Sequence, residues 1–334
     1  MVNSPNRPPT STDPRAWRAE TIDDRRAWYY PLPEQGLSAL DEAVATLRDA
    51  DQPVTALRVS DAQRVACRDA LRPVSAALES GRGFAIIDGV PTGRYTPRQL
   101  QAIYWLVGQL LGEPFEQNVQ GTLLYDVRDT GQEVSQGARF SVTSYESSFH
   151  TDNSFGETVL DYVGLLCLHT AKSGGLSQIL SGYAVLNVLR DEHPDVLETL
   201  RRPFHVDRRG GTREGDAPTI EFPVIDTTGR GLIVRYLRYW IEVGHQKAGE
   251  PLTTAQVHAL DTLDEVLRRP ALRVDFDLNP GQMYFINNRW TLHNRTAFED
   301  HAEPDRKRHL VRLWLKSRCS PTPCGSEESP ASDG

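Results

Sequence analysis

Short strand-like runs dominate the chain from about residue 140 onward. The clearest is 272–278, where apolar and charged residues alternate so that one face of an extended segment would be buried. Further runs lie at 163–169, 177–180, 219–225, 232–236, 282–286 and 310–315. The regular strand–helix alternation of a doubly wound fold is absent. We therefore expect a mainly β fold with flanking helices, an α+β protein whose strands form a jelly-roll barrel.

Helical patterns fill the first third of the chain and separate the later strands. Thr96 and Pro97 open an apolar stripe with a period of 3.6 residues, which ends at Gly112. Ser60 and Gln63 have the spacing of a capping box ahead of an earlier helix. Shorter helices are expected at 185–189, 196–200 and 257–267, a buried strand at 83–89, and a turn at 227–229 that joins the runs 219–225 and 232–236.

Both ends of the chain are rich in Pro, Ser and charged residues, which is typical of segments that do not pack. We expect residues 1–15 and 317–334 to be flexible tails. Between them no internal repeat or low-complexity linker marks a boundary. The prediction is one domain over residues 16–316, helical in its N-terminal part, with the barrel core from about residue 83.

Charge and hydropathy exclude several classes of partner. The 334 residues carry a formal net charge of −8, so no basic surface for nucleic acid is expected. The sequence contains no stretch long and apolar enough to span a bilayer and no apolar core of a signal peptide. We therefore expect a cytoplasmic protein without membrane association, whose partners are small molecules. Cys67, Cys167, Cys319 and Cys324 form no disulfide framework and are expected to be reduced. The oligomeric state stays open, with a homodimer as one option.

A His-x-Asp pair and a distant histidine are candidates for a metal site. On an extended segment the side chains of His150 and Asp152 point to the same face. Imidazole and carboxylate together suit Fe(II), Mn(II) or Zn(II). Such a pair alone is more often a surface feature, so the hypothesis depends on His293 and on the residues C-terminal to it.

Two arginines come after His293 on a strand-like run. Alternation places Arg308 and Arg312 on the same face, together with Leu310 and Trp314. Buried arginines need a counter-charge, which neighbouring acidic residues would supply in a purely structural interpretation. Ligand carboxylates are the alternative that we favour, because a guanidinium offers parallel donors and keeps its charge when desolvated.

These segments, in this order, resemble the taurine dioxygenase and clavaminate synthase-like family of Fe(II)- and 2-oxoglutarate-dependent oxygenases. The resemblance runs from about residue 83 to 315. Its specific motifs are Phe149-His150-Thr151-Asp152, Gly174-Gly175-Leu176-Ser177, Leu292-His293-Asn294-Arg295 and Arg308-His309-Leu310-Val311-Arg312.

The resemblance implies a double-stranded β-helix of the jelly-roll, cupin-like kind, with Fe(II), 2-oxoglutarate and O2 as cofactor and co-substrates. It implies His150, Asp152 and His293 as iron ligands and Arg308 as the partner of the distal carboxylate of 2-oxoglutarate. Ser177 falls where a hydroxyl residue assists that arginine in relatives. Family members that halogenate have a small residue at the carboxylate position, so the resemblance favours hydroxylation, desaturation or cyclisation.

The implied reaction oxidises an unactivated C–H bond of a small polar metabolite that is acidic or amino-acid-like, with release of succinate and CO2. Candidate substrate contacts are Arg312 for an acidic group, Glu146 for an amine, and Gln117 and Asn118 in the pocket wall. Alternatives are a desaturase, cyclase or epimerase of natural-product biosynthesis. From other classes, a zinc-dependent hydrolase with the same ligands and a catalytically silent barrel stay open.

Overall fold

The computed structural model describes residues 13–47, 52–132, 142–208, 217–229 and 231–318. Cys319, Cys324 and most of both expected tails lie outside the described residues. Residues 13–15, which the sequence assigns to the N-terminal tail, instead pack on the body of the protein. There Arg15 pairs with Asp13 and donates a hydrogen bond of 2.8 Å from Nη1 to the hydroxyl of Tyr183.

The described residues form sixteen strands and seven α-helices. The strands are β1 (Tyr29–Pro31), β2 (Phe84–Asp88), β3 (Glu113–Phe115), β4 (Leu124–Val127), β5 (Tyr162–His169), β6 (Ser173–Gly174), β7 (Ser177–Ser181), β8 (Pro203–Asp207), β9 (Thr219–Pro223), β10 (Ile225–Asp226), β11 (Ile233–Val234), β12 (Arg273–Phe276), β13 (Met283–Asn287), β14 (Thr291–Arg295), β15 (Phe298–Glu299) and β16 (His309–Lys316). The helices are α1 (Glu34–Ala45), α2 (Asp61–Glu79), α3 (Pro97–Leu111), α4 (Gly182–Glu192), α5 (Pro194–Leu200), α6 (Arg238–Ala248) and α7 (Thr254–Leu267).

Two sheets carry the central part of the fold. The larger has seven strands in the order β1-β2-β13-β5-β16-β3, with β4 also paired to β16. The smaller has three strands in the order β12-β7-β14. One hydrophobic cluster joins them, with Val163, Tyr284 and Trp314 from the larger sheet and Ile179 and Phe276 from the smaller. The two sheets therefore face each other across a common apolar layer.

Alternation along β16 directs its side chains to two different cores. Leu310 and Trp314 belong to the cluster between the sheets, whereas Val311 and Leu313 belong to the cluster under α1, α2 and α3. The strand is buried on both faces, as its nearly continuous apolar sequence indicates. The expectation that Arg312 shares a face with Leu310 and Trp314 agrees with this arrangement.

The helix signals of the sequence are confirmed. Ser60 and Thr96 both accept from a backbone N–H three residues on, and both capping boxes are complete. Caps of this kind contribute about 1 kcal/mol each. The predicted segments 185–189, 196–200 and 257–267 lie inside α4, α5 and α7, which pack together with α6 in a second large cluster. None of the helices among the described residues is long and apolar enough to cross a membrane.

One strand pairing differs from the prediction. Strands β10 and β11 form the expected hairpin around 227–229, with Ile225 opposite Val234. Residues 219–223, however, pair with β8, a strand that the sequence patterns do not predict. The chain breaks its alternation at Val224, whose backbone carbonyl accepts from Arg235 N, so that 219–225 divides into two short strands.

Candidate metal centre and active-site cleft

His150 and His293 are brought together by the backbone. Each donates its N–H to the carbonyl of the other at 3.0 Å, which makes an isolated antiparallel bridge between the loop before β5 and strand β14. Residues that exchange both hydrogen bonds lie about 5.5 Å apart at Cα. The two imidazole rings consequently meet, with their centroids 4.3 Å apart.

Thr151 and Asn288 fix the segment that carries the candidate ligands. The buried Thr151 hydroxyl donates to the Val234 carbonyl at 2.9 Å, while the Thr151 N–H donates to the Tyr236 carbonyl. Asn288 accepts from the Asp152 N–H at 2.7 Å and donates back to the Asp152 carbonyl at 2.9 Å. Because the backbone is held on both sides, the alternate side chains of 150 and 152 are presented to one point.

Among the described residues, His150, Asp152 and His293 form the one group of three side chains able to share a metal ion, with ligand atoms all within 4.8 Å of one another. Asp152 Oδ1 lies 3.5 Å from His150 Nε2 and 3.8 Å from His293 Nε2. Two imidazoles and one carboxylate on one side of a cavity are the donor set of non-haem Fe(II) sites with open positions. The residues present therefore fit Fe(II).

The histidines are held with Nε2 towards that point. His150 Nδ1 lies 2.8 Å from the Ser148 carbonyl. A proton on Nδ1 in that hydrogen bond leaves the Nε2 lone pair for a metal. Burial, together with the nearby His150, lowers the pKa of His293 to about 3, so this imidazole is neutral at physiological pH, as a metal ligand must be.

The second carboxylate oxygen of Asp152 is held away from the histidines. Trp314 Nε1 donates to Asp152 Oδ2 at 2.9 Å, and Arg312 Nη1 lies 3.0 Å from the same oxygen. Burial alone would raise the pKa of Asp152, but the charge of Arg312 and the contact with His150 hold that pKa well below its usual range. The carboxylate is thus ionised and offers Oδ1 alone to a metal.

Arg308 lies in the same cleft without a counter-ion on one of its terminal nitrogens. It is 5% exposed, and its Nη1 is buried with no hydrogen-bond partner among the described residues. Burial lowers the pKa of Arg308 to about 10, although the charges of Cys167 and Asp300 oppose the shift. A buried guanidinium with an unused donor fits an anionic ligand such as the distal carboxylate of 2-oxoglutarate.

The Gly174-Gly175 turn makes room for Arg308. Both glycines have positive φ angles, +71° and +75°. A Cβ on Gly175 would lie 3.2 Å from Arg308 Nε, and one on Gly174 would lie 2.3 Å from the Ala297 carbonyl oxygen. Ser177 is the first residue of β7, buried and in the wall of the cleft. Its predicted assistance to Arg308 stays a prediction.

Three residues at the site were not assigned a role from the sequence. Arg295 donates to the backbone carbonyls of Thr143 and Tyr145, and burial lowers its pKa to about 9. Trp314 and Asn288 both hold Asp152 by hydrogen bonds. Arg295 and Trp314 could have been found from alternation, since each stands two residues after a predicted site residue on the same strand.

Arg312 occupies the predicted face but has protein partners. Besides Asp152, it donates from Nε to Gln117 Oε1 at 2.8 Å and lies over the rings of Tyr125 and Trp314. The ion pair with a neighbouring acid, which the sequence left as the alternative, is therefore present. Arg312 also lines the cleft, so its proposed contact with an acidic substrate group stays a prediction.

The other predicted substrate contacts do not line the cleft. Gln117 is buried behind Arg312, because its amide also donates to the Arg312 and Leu123 carbonyls. Asn118 caps a turn by accepting from the N–H groups of Gln120 and Thr122. The exposed Glu146 accepts from Asn294 at 3.3 Å. In each case nearby backbone or amide groups engage the side chain outside the cavity wall.

One open cleft contains the residues described above. His150, Asp152 and His293 lie on its wall together with Arg308 and Ser177. The candidate metal ligands and the buried guanidinium therefore face the same cavity.

Similar proteins were found both by sequence and by structure. FR-33289 synthase of Streptomyces rubellomurinus (strain ATCC 31215) is 29% identical over 311 residues, which cover 90% of this chain and 88% of that protein. An asparagine oxygenase solved with Fe(II), 2S,3S-3-hydroxyasparagine and succinate has a TM-score of 0.65 at 22% identity, covering 86% and 93%. The non-heme iron oxygenase OrfP, solved with Fe and alpha-ketoglutaric acid, has a TM-score of 0.64 at 21% identity, covering 86% and 93%.

The family model described as "Taurine catabolism dioxygenase TauD, TfdA family" matches residues 48–314, most of the chain. This match removes the zinc hydrolase and the silent barrel as alternatives, and it agrees with the metal-binding geometry and the fold, which has mixed α and β content. The chain therefore belongs to the TauD/TfdA family and is a 2-oxoglutarate-dependent, non-haem iron dioxygenase.

Proposed function

We propose that this dioxygenase hydroxylates an unactivated C–H bond of a small, acidic or amino-acid-like metabolite, with Fe(II) held by His150, Asp152 and His293. The observation that carries the proposal is the convergence of the three ligand atoms within 4.8 Å, in the cleft that also contains Arg308 Nη1, which has no partner among the described residues. When bound, Fe(II) and 2-oxoglutarate supply the oxidative decarboxylation, to succinate and CO2, that activates O2 for attack on the substrate.

Arg308 binds the distal carboxylate of 2-oxoglutarate in this proposal. Its desolvated guanidinium offers Nη1, and the Gly174-Gly175 turn leaves the space beside Nε that a larger residue would take. Ser177, at the wall of the same part of the cleft, donates a supporting hydrogen bond. Together they would orient the co-substrate so that its keto-acid end reaches the three metal ligands.

Arg312 binds the acidic group of the primary substrate. In the structure its guanidinium contacts Asp152 and Gln117, which hold it in the cleft wall with a fixed orientation. A substrate carboxylate would share this guanidinium with Asp152. The asparagine oxygenase bound to hydroxyasparagine and the OrfP structures with (3S)-hydroxy-L-Arg support an amino-acid-like substrate. Desaturation, cyclisation and epimerisation use the same residues, and the product distinguishes them.

The proposal extends to the architecture. The two facing sheets fit the two halves of a double-stranded β-helix, and we assign residues 16–316 to one oxygenase domain built on it. The apolar layer that both sheets share, with Val163, Ile179 and Trp314, supports a barrel formed by the two sheets. A role in natural-product biosynthesis agrees with the similarity to FR-33289 synthase.

A succinate-release assay with Fe(II), 2-oxoglutarate and a panel of amino acids and small organic acids tests the function. We expect release above the substrate-free rate with at least one acidic or amino-acid-like compound, and a product heavier by one oxygen atom. Arg308→Ala should raise the 2-oxoglutarate requirement, whereas Arg190→Ala, an exposed arginine of α4, should not. Metal-independent release, or equal behaviour of the two variants, would contradict the proposal.

A further inference from the structure

An apolar surface begins directly beside Arg312. In the sheet register Leu165 of β5 is the cross-strand neighbour of Arg312 on β16, so the two side chains stand on the same face. Leu165 is partly exposed although residues 162–164 and 166–168 of its strand are buried. Its exposure has a local cause, because Leu165 borders the cleft rather than a second layer of side chains.

Val127 extends this apolar wall from the neighbouring strand. Val127 of β4 pairs with Leu310 of β16 and also lines the cleft. Both Val127 and Leu165 pack against the cluster between the sheets while part of each side chain stays uncovered. The larger sheet therefore presents partly uncovered apolar side chains on both strands that flank β16, the strand of Arg312.

Apolar side chains that pack on the second large cluster also line the cleft. Phe155, in the loop after the candidate ligands, and Leu237, at the start of α6, are partly buried hydrophobic residues that line the same cavity. Tyr239 lies at the mouth, 43% exposed, with its ring against Trp240 at a centroid distance of 4.5 Å. Partly uncovered apolar side chains from two hydrophobic clusters in one cavity mark a surface that a ligand covers.

The cleft wall thus combines the candidate metal ligands and arginines with partly uncovered apolar side chains. An amino acid with a short polar side chain would leave these apolar side chains in water. We propose that the primary substrate carries, next to the acidic group held by Arg312, an apolar or aromatic portion that lies between Leu165 and Val127 on one side and Phe155 and Leu237 on the other. This inference rests on the proposed function and narrows its substrate class.

Simple carboxylates are suitable probes of the apolar portion. Each fully buried CH2 group favours binding about fourfold. For the protein loaded with Fe(II) and 2-oxoglutarate under argon, calorimetric titration should show octanoate and 3-phenylpropionate binding at least about tenfold more tightly than acetate. Arg312→Gln should weaken the binding of all three probes by a similar factor, because they share the carboxylate.

Two substitutions locate the apolar contact. Leu165→Gln and the nearly isosteric Val127→Thr should each reduce the ratio of octanoate to acetate affinity and leave acetate affinity unchanged. Leu110→Gln is the matched control, since Leu110 of α3 is also partly buried but packs on the core under the helices. That control should leave the ratio unchanged. Val127→Thr keeps the test interpretable if Leu165→Gln does not fold.

Each outcome bears on a different feature of the cleft. Equal affinity of acetate and octanoate for the unsubstituted protein overturns the apolar subsite, while the proposed function stands as long as 2-oxoglutarate turnover depends on Arg308. An octanoate preference that survives both Leu165→Gln and Val127→Thr overturns its location. If neither carboxylate binds, the acidic group at Arg312 is wrong, and the substrate part of the proposed function fails with it.

Discussion

Arg312 of β16 and Arg308, which immediately precedes that strand, lie in opposite environments. Arg312 is paired with Asp152 and Gln117 and so helps to shape a candidate metal ligand. Arg308, four residues earlier, has a buried Nη1 without a partner in the part of the chain that the structure describes, and its pKa is lowered by desolvation. A satisfied cation can orient its neighbours, whereas an unsatisfied buried one gains most from a ligand that brings the missing charge.

The largest effect, on Fe(II) binding and hydroxylation, is expected from removing one of the candidate metal ligands, among which Asp152 is the partner of Arg312. His150→Ala leaves one of the two histidine ligands and should abolish detectable Fe(II) binding, while Asp152→Ala should abolish hydroxylation. Titration with Fe(II) under argon measures the loss. His258→Ala on α7 is the control, with unchanged metal content expected. Metal content that stays intact in His150→Ala would move the metal site elsewhere.

The second-largest effect is expected on 2-oxoglutarate binding, from substitution of Arg308. Arg308→Ala should weaken 2-oxoglutarate binding by about 2–5 kcal/mol, the range for truncating one member of a desolvated charge pair. Ser177→Ala should cost about 0.5–1.5 kcal/mol, the value of a single hydrogen bond. Both are measured by calorimetry on the metal-loaded protein.

Arg312→Ala tests whether the two arginines bind different molecules, the substrate and 2-oxoglutarate. It should raise the KM of the true substrate while the affinity for 2-oxoglutarate changes much less than in Arg308→Ala. If both variants weaken the co-substrate equally, the two arginines do not have separate roles. If Arg308→Ala alone has no effect on 2-oxoglutarate, the anchor of the co-substrate is another residue.

Position along a strand could be predicted from the sequence, but partners could not. Period-two alternation predicted one face for Arg308 and Arg312, and both line the cleft although Arg308 lies just before β16. The ordered motifs named the histidines that the structure brings together. Whether an arginine is already paired depends on residues from distant segments, such as Gln117 before β4. Such contacts depend on register and loop path, which a single sequence does not specify.

Loops account for the remaining differences. Gln117 and Asn118 were assigned to the pocket because they come after a helix end, yet their amides satisfy local backbone groups instead. Strand β8 (Pro203–Asp207) was missed although Phe204 and Val206 alternate with polar residues, because so short a run is a weak strand signal. The helix ends at Ser60 and Thr96 were predicted correctly, since a capping box is a local interaction.

The contacts that hold Asp152 should have a smaller effect on the metal than the ligands themselves. Trp314→Phe removes the hydrogen bond to Oδ2 and preserves most of the ring packing, so Fe(II) affinity should fall about 10–100-fold, as for other residues that orient a metal ligand. The affinity is measured by competition with a chelator, and thermal unfolding checks the fold. Trp105→Phe, which removes a buried indole hydrogen bond to the Leu57 carbonyl in the helical core, is the control. Equal loss in both variants would indicate a general packing effect.

The smallest expected effect tests whether water is excluded from the surroundings of Arg308, where Cys167 also lies. Burial raises the pKa of the Cys167 thiol from 9.0 to about 12, although the nearby Arg308 opposes the shift. Between pH 9 and 12 the unfolded chain therefore releases a proton that the folded protein keeps, so the free energy of unfolding falls as pH rises. Cys167→Ala should make this fall shallower by up to about 1.4 kcal/mol per pH unit. Urea unfolding at about pH 8 to 11 under reducing conditions measures the slopes, and parallel curves for the two proteins would show that water reaches the thiol and the guanidinium beside it.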